Sequence, residues 1–333
     1  MDAEATITEM RRFLPSPTKD VLARVGGLAS GHIRDTLEEV RVPATVIDDV
    51  VTQWEQFRTD EEWLSLLASL VEWIDRCRGD IDAPIPIWDD LDGRGPNGRL
   101  FYFYVFVICY GDACAYLRAR GCPSDILAST MTVLPRHVQI HFRRRATVGV
   151  EPGWWLLPIL RGEMVQVGSL QFHAVNLGVG SLSPAPWYSK EESAELGEGF
   201  RRGDPSVGLH IPDGAALGEH DLDATFTRAR EVLGAMWPVG QRRLATCQSW
   251  LLDRQLSEFL DPGSRIMRFQ RRFTLLDRWY EDDEDTLSFI FQRPGVAPRD
   301  LPRDTTLQRG VLDLLDRGGH WRAQPGWLDF DGI

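Results

Sequence analysis

The chain has 333 residues, of which 43% are hydrophobic and 26% are charged. This composition excludes a disordered chain, and at roughly 150 residues per domain the length favours two domains. The formal net charge of -12 argues against nucleic acid as the main partner, because phosphate contacts need clustered Lys and Arg side chains.

The five cysteines show no CxxC spacing, and the N-terminus shows no signal-peptide pattern. Free thiols of this kind are typical of a reducing compartment, so the sequence predicts a cytoplasmic protein. The longest apolar run, Leu100 to Tyr110, is too short to span a bilayer. We therefore expect it to form a buried helix, and we expect no membrane partner.

Helical periodicity dominates residues 1–148, which we predict to form an N-terminal helical domain. Within 44–57, for example, Val46, Val50 and Trp54 fall on one helix face. The predicted helices span 44–57, 60–77, 99–120 and 125–145, with a Pro-, Gly- and Asp-rich loop at 81–98.

The pattern changes from residue 149, where short strands and helices begin. In the strand predicted at 169–177, Leu170, Phe172 and Ala174 lie on one face. The further predicted strands are 206–211, 243–252, 265–276 and 286–292, the predicted helices are 222–236, 253–260 and 304–317, and 178–204 is a predicted long loop. This order predicts an α/β (α+β) domain over 149–333, with a mixed β-sheet flanked by helices.

Four motifs stand out in the second half of the chain: GLHIP at 208–212, CQSWLLD at 247–253, RFQRRF at 268–273 and LPRDTTLQR at 301–309. With the predicted element order, they resemble a bacterial acyltransferase family that has a helical N-acyltransferase N-terminal domain and a GNAT-like C-terminal domain. The resemblance covers about 100–333 and is strongest over 206–310. It implies transfer of an acyl group from acyl-CoA, acetyl-CoA or an acyl carrier protein to an amine or hydroxyl of a small molecule or peptide.

The loop before helix 222–236 departs from the GNAT pattern. GNAT enzymes carry a Gln/Arg-x-x-Gly-x-Gly/Ala loop there, whose backbone N–H groups hold the CoA pyrophosphate. This chain keeps Gly214 and Gly218 as candidate cofactor contacts, but Asp213, Glu219 and Asp221 would repel a pyrophosphate. Three alternatives follow: CoA binds differently, the donor is an acyl carrier protein, or the domain binds no CoA.

The GNAT resemblance makes His210 the first candidate for a catalytic residue. In GNAT folds a pair of neighbouring strands splays apart to admit the acyl chain, and His210 lies on the first of these strands, on the same face as Gly208. A neutral imidazole there can act as the base that deprotonates the acceptor. The alternative is a structural His that is hydrogen-bonded to the backbone.

Cys247 and Ser249 are candidates for a nucleophile or an acid, because they share one face of the next strand. Trp250 is a candidate substrate contact. A Cys in a strand is also a common buried hydrophobic residue, so a structural role is the alternative for Cys247.

Arg268, Gln270 and Arg272 alternate on one face of predicted strand 265–276 and are candidates for binding the cofactor phosphates or a carboxylate. The alternative is a solvent-exposed face that pairs with the acidic run 281–285. We expect no metal site: His137 and His141 have i, i+4 spacing on a predicted helix surface but no third ligand, and the acidic run, a predicted hairpin turn, lacks calcium-loop spacing.

Two functions therefore remain open from the sequence. The first is an acyltransferase that works by direct attack of the acceptor on the thioester, which needs no covalent intermediate. The second is a non-catalytic ligand-binding or regulatory protein on a degenerate GNAT-like scaffold, which the missing pyrophosphate loop favours.

Overall fold

The computed structural model describes residues 3–179, 189–197, 199–237 and 244–329. The described chain divides into two compact units, one up to Val165 and the other from Gln166 onward. The sequence places the boundary earlier, at 148/149. Residues 149–165 belong to the first unit because Leu156, Leu157 and Leu160 are completely buried there.

Unit 1 is helical, as predicted. Two long predicted helices, 44–57 and 60–77, appear within one residue of their predicted bounds, whereas 125–145 is two helices that meet at Thr132. The helices are α1 (Ala3–Phe13), α2 (Lys19–Gly26), α3 (Ser30–Glu39), α4 (Ala44–Phe57), α5 (Glu61–Arg76), α6 (Gly95–Ala119), α7 (Ser124–Met131), α8 (Val133–Arg145) and α9 (Leu156–Leu160).

Helix α6 is the core of unit 1. Among the described residues it is the one helix that is long and apolar enough to cross a membrane, but α3, α4, α5 and α9 pack around it. Its Tyr104 ring contacts the Trp54 and Phe57 rings of α4, and the Tyr104 hydroxyl donates a hydrogen bond to the Val50 carbonyl. The predicted buried helix is therefore confirmed.

The two histidines of α8 are buried, so their predicted place on a helix surface is wrong. His137 Nδ1 lies 3.0 Å from the Glu151 carbonyl oxygen. His141 Nδ1 lies 2.9 Å from the Thr147 carbonyl oxygen, and His141 Nε2 lies 2.8 Å from a carboxylate oxygen of Asp92. Both nitrogens of His141 lie within hydrogen-bond distance of oxygen atoms, an arrangement that suits the doubly protonated ring. The Asp92 hydrogen bond raises the pKa of His141 against the effect of burial.

We predict that Asp92→Asn destabilises unit 1 in a pH-dependent way. Because the pKa of His141 is raised in the folded state, its protonated ring stabilises the folded protein fully below the unfolded-state pKa of about 6.5. This stabilisation is lost as the pH rises through the folded-state pKa. The free energy of unfolding should fall by about 1.5–3 kcal/mol at pH 5.5 and by less at pH 9. Urea denaturation of both proteins at the two pH values measures this, and equal losses would contradict it.

Unit 2 contains most of a seven-stranded mixed sheet. Its strands are β1 (Met164–Val167), β2 (Leu170–Asn176), β3 (Pro205–His210), β4 (Leu244–Ser249), β5 (Thr274–Leu275), β6 (Tyr280–Glu281) and β7 (Arg322–Asp329). The order across the sheet is β1-β2-β3-β4-β7-β5, and β6 also pairs with β7. The helices are α10 (Lys190–Leu196), α11 (Glu219–Met236), α12 (Arg265–Gln270), α13 (Asp283–Phe291) and α14 (Thr306–Asp316).

Helix α11 covers one face of this sheet. The Phe226 ring packs edge-on against the Phe172 ring of β2 at 6.3 Å, and Leu222, Ala229 and Leu233 are also buried. The predicted strands 169–177 and 206–211 and the predicted helix 222–236 are confirmed. The strand predicted at 243–252 is β4, although its first predicted residue lies outside the described residues, and it ends at Ser249 in a 3₁₀ turn, Trp250–Leu252.

Two predicted strands in the last third of the chain are wrong, and one strand was missed. Residues 265–270 form a helix rather than a strand, and the Ser264 side chain caps it by accepting from the Met267 N–H. Residues 286–291 belong to helix α13, which begins with three acids where the helix dipole favours them. Strand β7 was not predicted, although it pairs with β4, β5 and β6.

Candidate active site

Strands β3 and β4 run parallel but pair over a short stretch. Among the described residues their register has two pairs, Val207 with Ala245 and Gly208 with Thr246. Each strand pairs over six residues with its other neighbour, β3 with β2 and β4 with β7. At the closed end, the Ser206 hydroxyl donates to the Leu244 carbonyl oxygen at 2.9 Å. Among the described residues, the C-terminal halves of the two strands are therefore not paired with each other, and we call this unpaired stretch the strand opening.

The register decides which side chains share a face at this opening. Gly208 is opposite His173 of β2 and Thr246 of β4, so these residues lie on one face with His210 and Gln248. The other face, which α11 covers, carries Phe172, Leu209, Ala245 and Cys247.

His210 lies beside a second histidine, His173, on the face of the sheet opposite α11. Their ring centroids are 5.8 Å apart at an interplanar angle of 39°. Burial, and secondly the neighbouring His173, lower the pKa of His210 to about 3. The ring is therefore neutral at physiological pH. So low a pKa also makes the imidazole a weak base, so burial keeps the ring neutral and at the same time opposes proton uptake.

Cys247 does not share the face of His210. Its side chain is 2% exposed, and burial raises the pKa of the thiol to about 12. The group is therefore a neutral thiol, whereas a nucleophilic Cys must be a thiolate. The geometry favours the structural alternative for Cys247.

Ser249 and Trp250 lie where β4 ends. The Ser249 hydroxyl accepts from the Leu251 N–H at 3.1 Å and so caps the 3₁₀ turn that Trp250 begins. This capping bond gives Ser249 a structural role, and both side chains are half-buried. A catalytic role for Ser249 and a substrate contact by Trp250 stay predictions.

A cavity of about 260 Å³ is lined by three arginines, Arg268, Arg271 and Arg272, together with Glu219 and Leu222 of α11. Arg268 lies in α12, and Arg271 and Arg272 follow the last residue of that helix, so a helix end rather than alternation along a strand groups the three. Arg268 pairs with Glu219 at 3.3 Å, and Arg272 pairs with Asp223 at 2.7 Å. Guanidinium groups clustered in this way suit phosphate oxygens.

Gln270 does not line this cavity, so its predicted place beside Arg268 and Arg272 is wrong. The helix turns its side chain inward, where it is 6% exposed. Its amide nitrogen donates to the Asp253 carbonyl oxygen at 2.9 Å and to the Leu251 carbonyl oxygen at 3.4 Å. Gln270 thus ties α12 to the segment that follows β4. The arginine cavity lies between the first turns of α11 and the residues around the end of α12.

The loop from β3 to α11 keeps its two glycines for different reasons. Gly214 has φ +74° in a turn closed by the Ala215 N–H and the Pro212 carbonyl oxygen. Gly218 is the N-cap of α11 and has no side-chain capping bond. Asp213 accepts from the Gln292 amide at 2.9 Å, and Glu219 pairs with Arg268. The Arg268 pair offsets the charge of Glu219, whereas the neutral Gln292 amide holds Asp213 without cancelling its charge.

The acidic run 281–285 is not the predicted hairpin turn, because it includes the first turn of α13. His320 Nδ1 lies 2.7 Å from Asp283 and 3.5 Å from Glu281, and these contacts raise the pKa of His320. Among the described residues, Glu281, Asp283 and His320 form the one group whose ligand atoms could hold a metal ion. Asp283 also accepts from the Trp321 N–H at 2.6 Å, so this group fixes the chain at the start of β7.

Two residues at the candidate site were missed from the sequence. His173 lies in the strand predicted at 169–177, but only the β2–β3 register places it opposite Gly208. Arg271 falls on the opposite face from Arg268 in the predicted strand 265–276, whereas the helix that the chain forms there brings the two together. A helical spacing test on 265–272 would have grouped the three arginines.

Comparison with known proteins identifies the family. Residues 31–162 match the model of the N-acyltransferase N-terminal domain, and residues 164–328 match the model of the GNAT-like C-terminal domain. The chain belongs to this acyltransferase family. No curated protein matches the sequence.

Several solved acyltransferase structures are similar over nearly the whole chain. One, bound to decanoyl-CoA and teicoplanin, is 27% identical with a TM-score of 0.80, covering 99% of this chain and 100% of that chain. A second, bound to CoA and 10C-teicoplanin, is 25% identical with a TM-score of 0.78 and the same coverage. A third, a mutant bound to octanoyl-CoA, is 25% identical with a TM-score of 0.77, covering 99% of both chains. This acyltransferase thus shares its two-domain fold with enzymes seen with acyl-CoA.

We predict that Cys247 of this acyltransferase resists alkylation in the folded protein. With a thiol pKa of about 12, very little thiolate exists at pH 8. Iodoacetamide should leave the Cys247 peptide unmodified in native buffer and modify it in urea, as measured by peptide mass spectrometry. Rapid modification of Cys247 in the native protein would instead indicate an activated nucleophile.

Proposed function

We propose that this acyltransferase moves a medium-length acyl group from acyl-CoA to a primary amine of a peptide-like small molecule, of the glycopeptide class. The observation that carries the proposal is the opening between β3 and β4, with neutral His210 at its side. The similar enzymes bound to octanoyl-CoA, decanoyl-CoA and teicoplanin support the donor and the acceptor class.

The chemistry is direct attack within a ternary complex. The acceptor nitrogen forms a bond to the thioester carbonyl carbon, and His210 takes one proton from that nitrogen. The tetrahedral intermediate then collapses, the carbon–sulfur bond breaks, and the departing thiolate receives the proton from His210. The products are an amide and free CoA thiol, and the imidazole returns to its neutral form. Cys247 is not involved, since its thiol lies on the opposite face.

The cofactor phosphates are assigned to the arginine cavity. Arg268, Arg271 and Arg272 offer the positive charge that the loop 212–218 lacks, with Gly214 and Gly218 close to the start of α11. Binding replaces Glu219 and Asp223 as partners of two of the arginines. A carrier-protein donor is the alternative, and it would be recognised by protein contacts instead of by the adenosine phosphates.

The test of the function is a transfer assay with the full chain, decanoyl-CoA and a glycopeptide that has a free primary amine. The release of CoA thiol and the mass of the amide product are measured. The unreactive product CoA should also raise the melting temperature, because ligand at a hundredfold excess over Kd stabilises by about 2.7 kcal/mol. A melting shift without turnover for any acyl-CoA and amine pair would favour the binding-protein alternative.

We predict that His210→Ala lowers kcat by about 10²–10⁴-fold, the range for loss of a general base, while acyl-CoA binding is kept. Cys247→Ala is the matched control on the neighbouring strand and should keep kcat, because that side chain faces α11. The assay above measures both variants. A His210→Ala enzyme with normal kcat would exclude His210 as the base.

We predict that Arg268→Ala or Arg271→Ala raises KM for decanoyl-CoA by about tenfold to a hundredfold, since a charge-assisted hydrogen bond contributes about 1.5–3 kcal/mol. KM for decanoyl-pantetheine, which has no phosphate, should not change. Arg265→Ala is the control, because Arg265 is exposed on the same helix and does not line the cavity. Equal effects on both thioesters would contradict the phosphate assignment.

A further inference from the structure

The arginine cavity receives negative charge from the protein itself. Glu219 lines the cavity, and its carboxylate oxygen lies 3.3 Å from a guanidinium nitrogen of Arg268. Asp223, one helical turn further along α11, has a carboxylate oxygen 2.7 Å from a guanidinium nitrogen of Arg272. The two carboxylates therefore hold positions on the guanidinium groups that phosphate oxygens would otherwise take.

The two ion pairs differ in strength. The Arg268 side chain is 50% exposed and that of Glu219 is 63% exposed, and a pair so open to water contributes little. The Arg272 side chain is only 17% exposed, and its guanidinium group also lies over the Phe226 ring, 5.8 Å from the ring centroid. Water screens this second pair less, so Asp223 is the more firmly bound of the two acids.

Arg271 differs from the other two arginines of the cavity. Among the described residues it forms no ion pair, and its Nη1 donates to the Pro262 carbonyl oxygen at 2.5 Å. A phosphate group can therefore approach Arg271 without displacing a carboxylate. Contacts with Arg268 and Arg272 require that their acidic partners leave first.

We propose that Glu219 and Asp223 are resident anions of the donor site, which hold Arg268 and Arg272 until a phosphate ligand displaces them. This inference rests on the phosphate assignment made for the proposed function and concerns the selectivity of the same site. The apparent Kd of a ligand rises when the binding-competent state of the protein is only partly populated. The resident anions therefore weaken, by one common factor, every ligand that contacts both arginines.

A common factor still selects between ligands. An acyl-CoA also binds through its pantetheine arm and its acyl chain, so it tolerates a weaker phosphate contact. Inorganic phosphate, pyrophosphate and nucleotides without a thioester arm have no such contacts to offset the loss. The resident anions thus keep the arginine cavity free of small phosphate compounds, and they determine specificity without touching the reacting atoms.

The test removes each negative charge at nearly constant size, with Glu219→Gln and Asp223→Asn. Isothermal titration calorimetry on the full chain measures the Kd of CoA and the Kd of inorganic pyrophosphate. Both constants should fall by up to about fivefold in Glu219→Gln, the upper range for an exposed ion pair. They should fall by about tenfold in Asp223→Asn, because its charge-assisted hydrogen bond to Arg272 is less exposed.

Glu231→Gln is the matched control, because it makes the same change in net charge on the same helix. Glu231 also pairs with an arginine, Arg228, at 3.1 Å, but it does not line the cavity. It lies about 12 Å further along the helix axis than Asp223, beyond the Debye length of about 8 Å at physiological salt. Both dissociation constants should therefore stay unchanged in this variant.

Decanoyl-pantetheine is the matched ligand, since it has the thioester arm but no phosphate. It binds without displacing a carboxylate, so its KM should be the same in the unaltered enzyme, Glu219→Gln and Asp223→Asn. The KM for decanoyl-CoA should fall in the two variants. A KM that fell equally for both thioesters would overturn the inference, because the acids would then act on something other than phosphate.

The binding measurements separate this inference from the proposed function. An unchanged or higher Kd of CoA in Asp223→Asn would overturn it, because the acid would then only position Arg272. Equal tightening in Glu231→Gln would overturn it too. If CoA binding tightens as expected but no acyl-CoA and amine pair reacts, the resident anions are upheld and the acyl transfer fails. If CoA and pyrophosphate bind to none of these proteins, the phosphate assignment fails, and this inference fails with it.

Discussion

The candidate site depends on one feature of the backbone, the short pairing between β3 and β4. Both strands are held over six residues on their outer edges, by β2 and by β7, so neither can turn freely toward the other. Their inner edges pair at two positions and then diverge. The side chains on the two faces of the unpaired stretch follow from the register.

The second constraint is the attachment of α12, which determines where the arginines of the candidate site lie. Buried Gln270 donates to two backbone carbonyls beyond β4, which fixes the direction of the helix. The arginines on its outer side then meet the first turns of α11, where Glu219 and Asp223 pair with them. An acidic protein can thus present a local positive cavity at the start of a helix. In the function proposed above, these arginines take the place of the GNAT phosphate loop, which this chain lacks.

Much of the site was accessible from strand alternation and family resemblance. Alternation placed Gly208 and His210 on one face, and the motif resemblance pointed to the strand that carries them. Alternation also placed Cys247 and Thr246 on opposite faces of β4. It did not say which of them shares a face with His210, because that depends on the β3–β4 register. The pattern at 265–272 was ambiguous, since apolar and charged residues there fit both a strand period and a helical period over so short a segment. The Ser264 side chain caps the N-terminus of α12, and this favours the helix.

The sequence by itself determined the helical first half, the order β2, β3, α11, β4 and the membership of an acyltransferase family, because these depend on local periodicity and on short contiguous motifs. The tertiary structure alone decided the place of β7, the pairing of His173 with Gly208, the inward turn of Gln270 and the grouping of three arginines. Strand β7 contains Pro325 and Gly326, so its local propensity is weak, and it forms because its neighbours pair with it. Strand register and contacts between distant segments of the chain are non-local, so they cannot be read from a window of neighbouring residues.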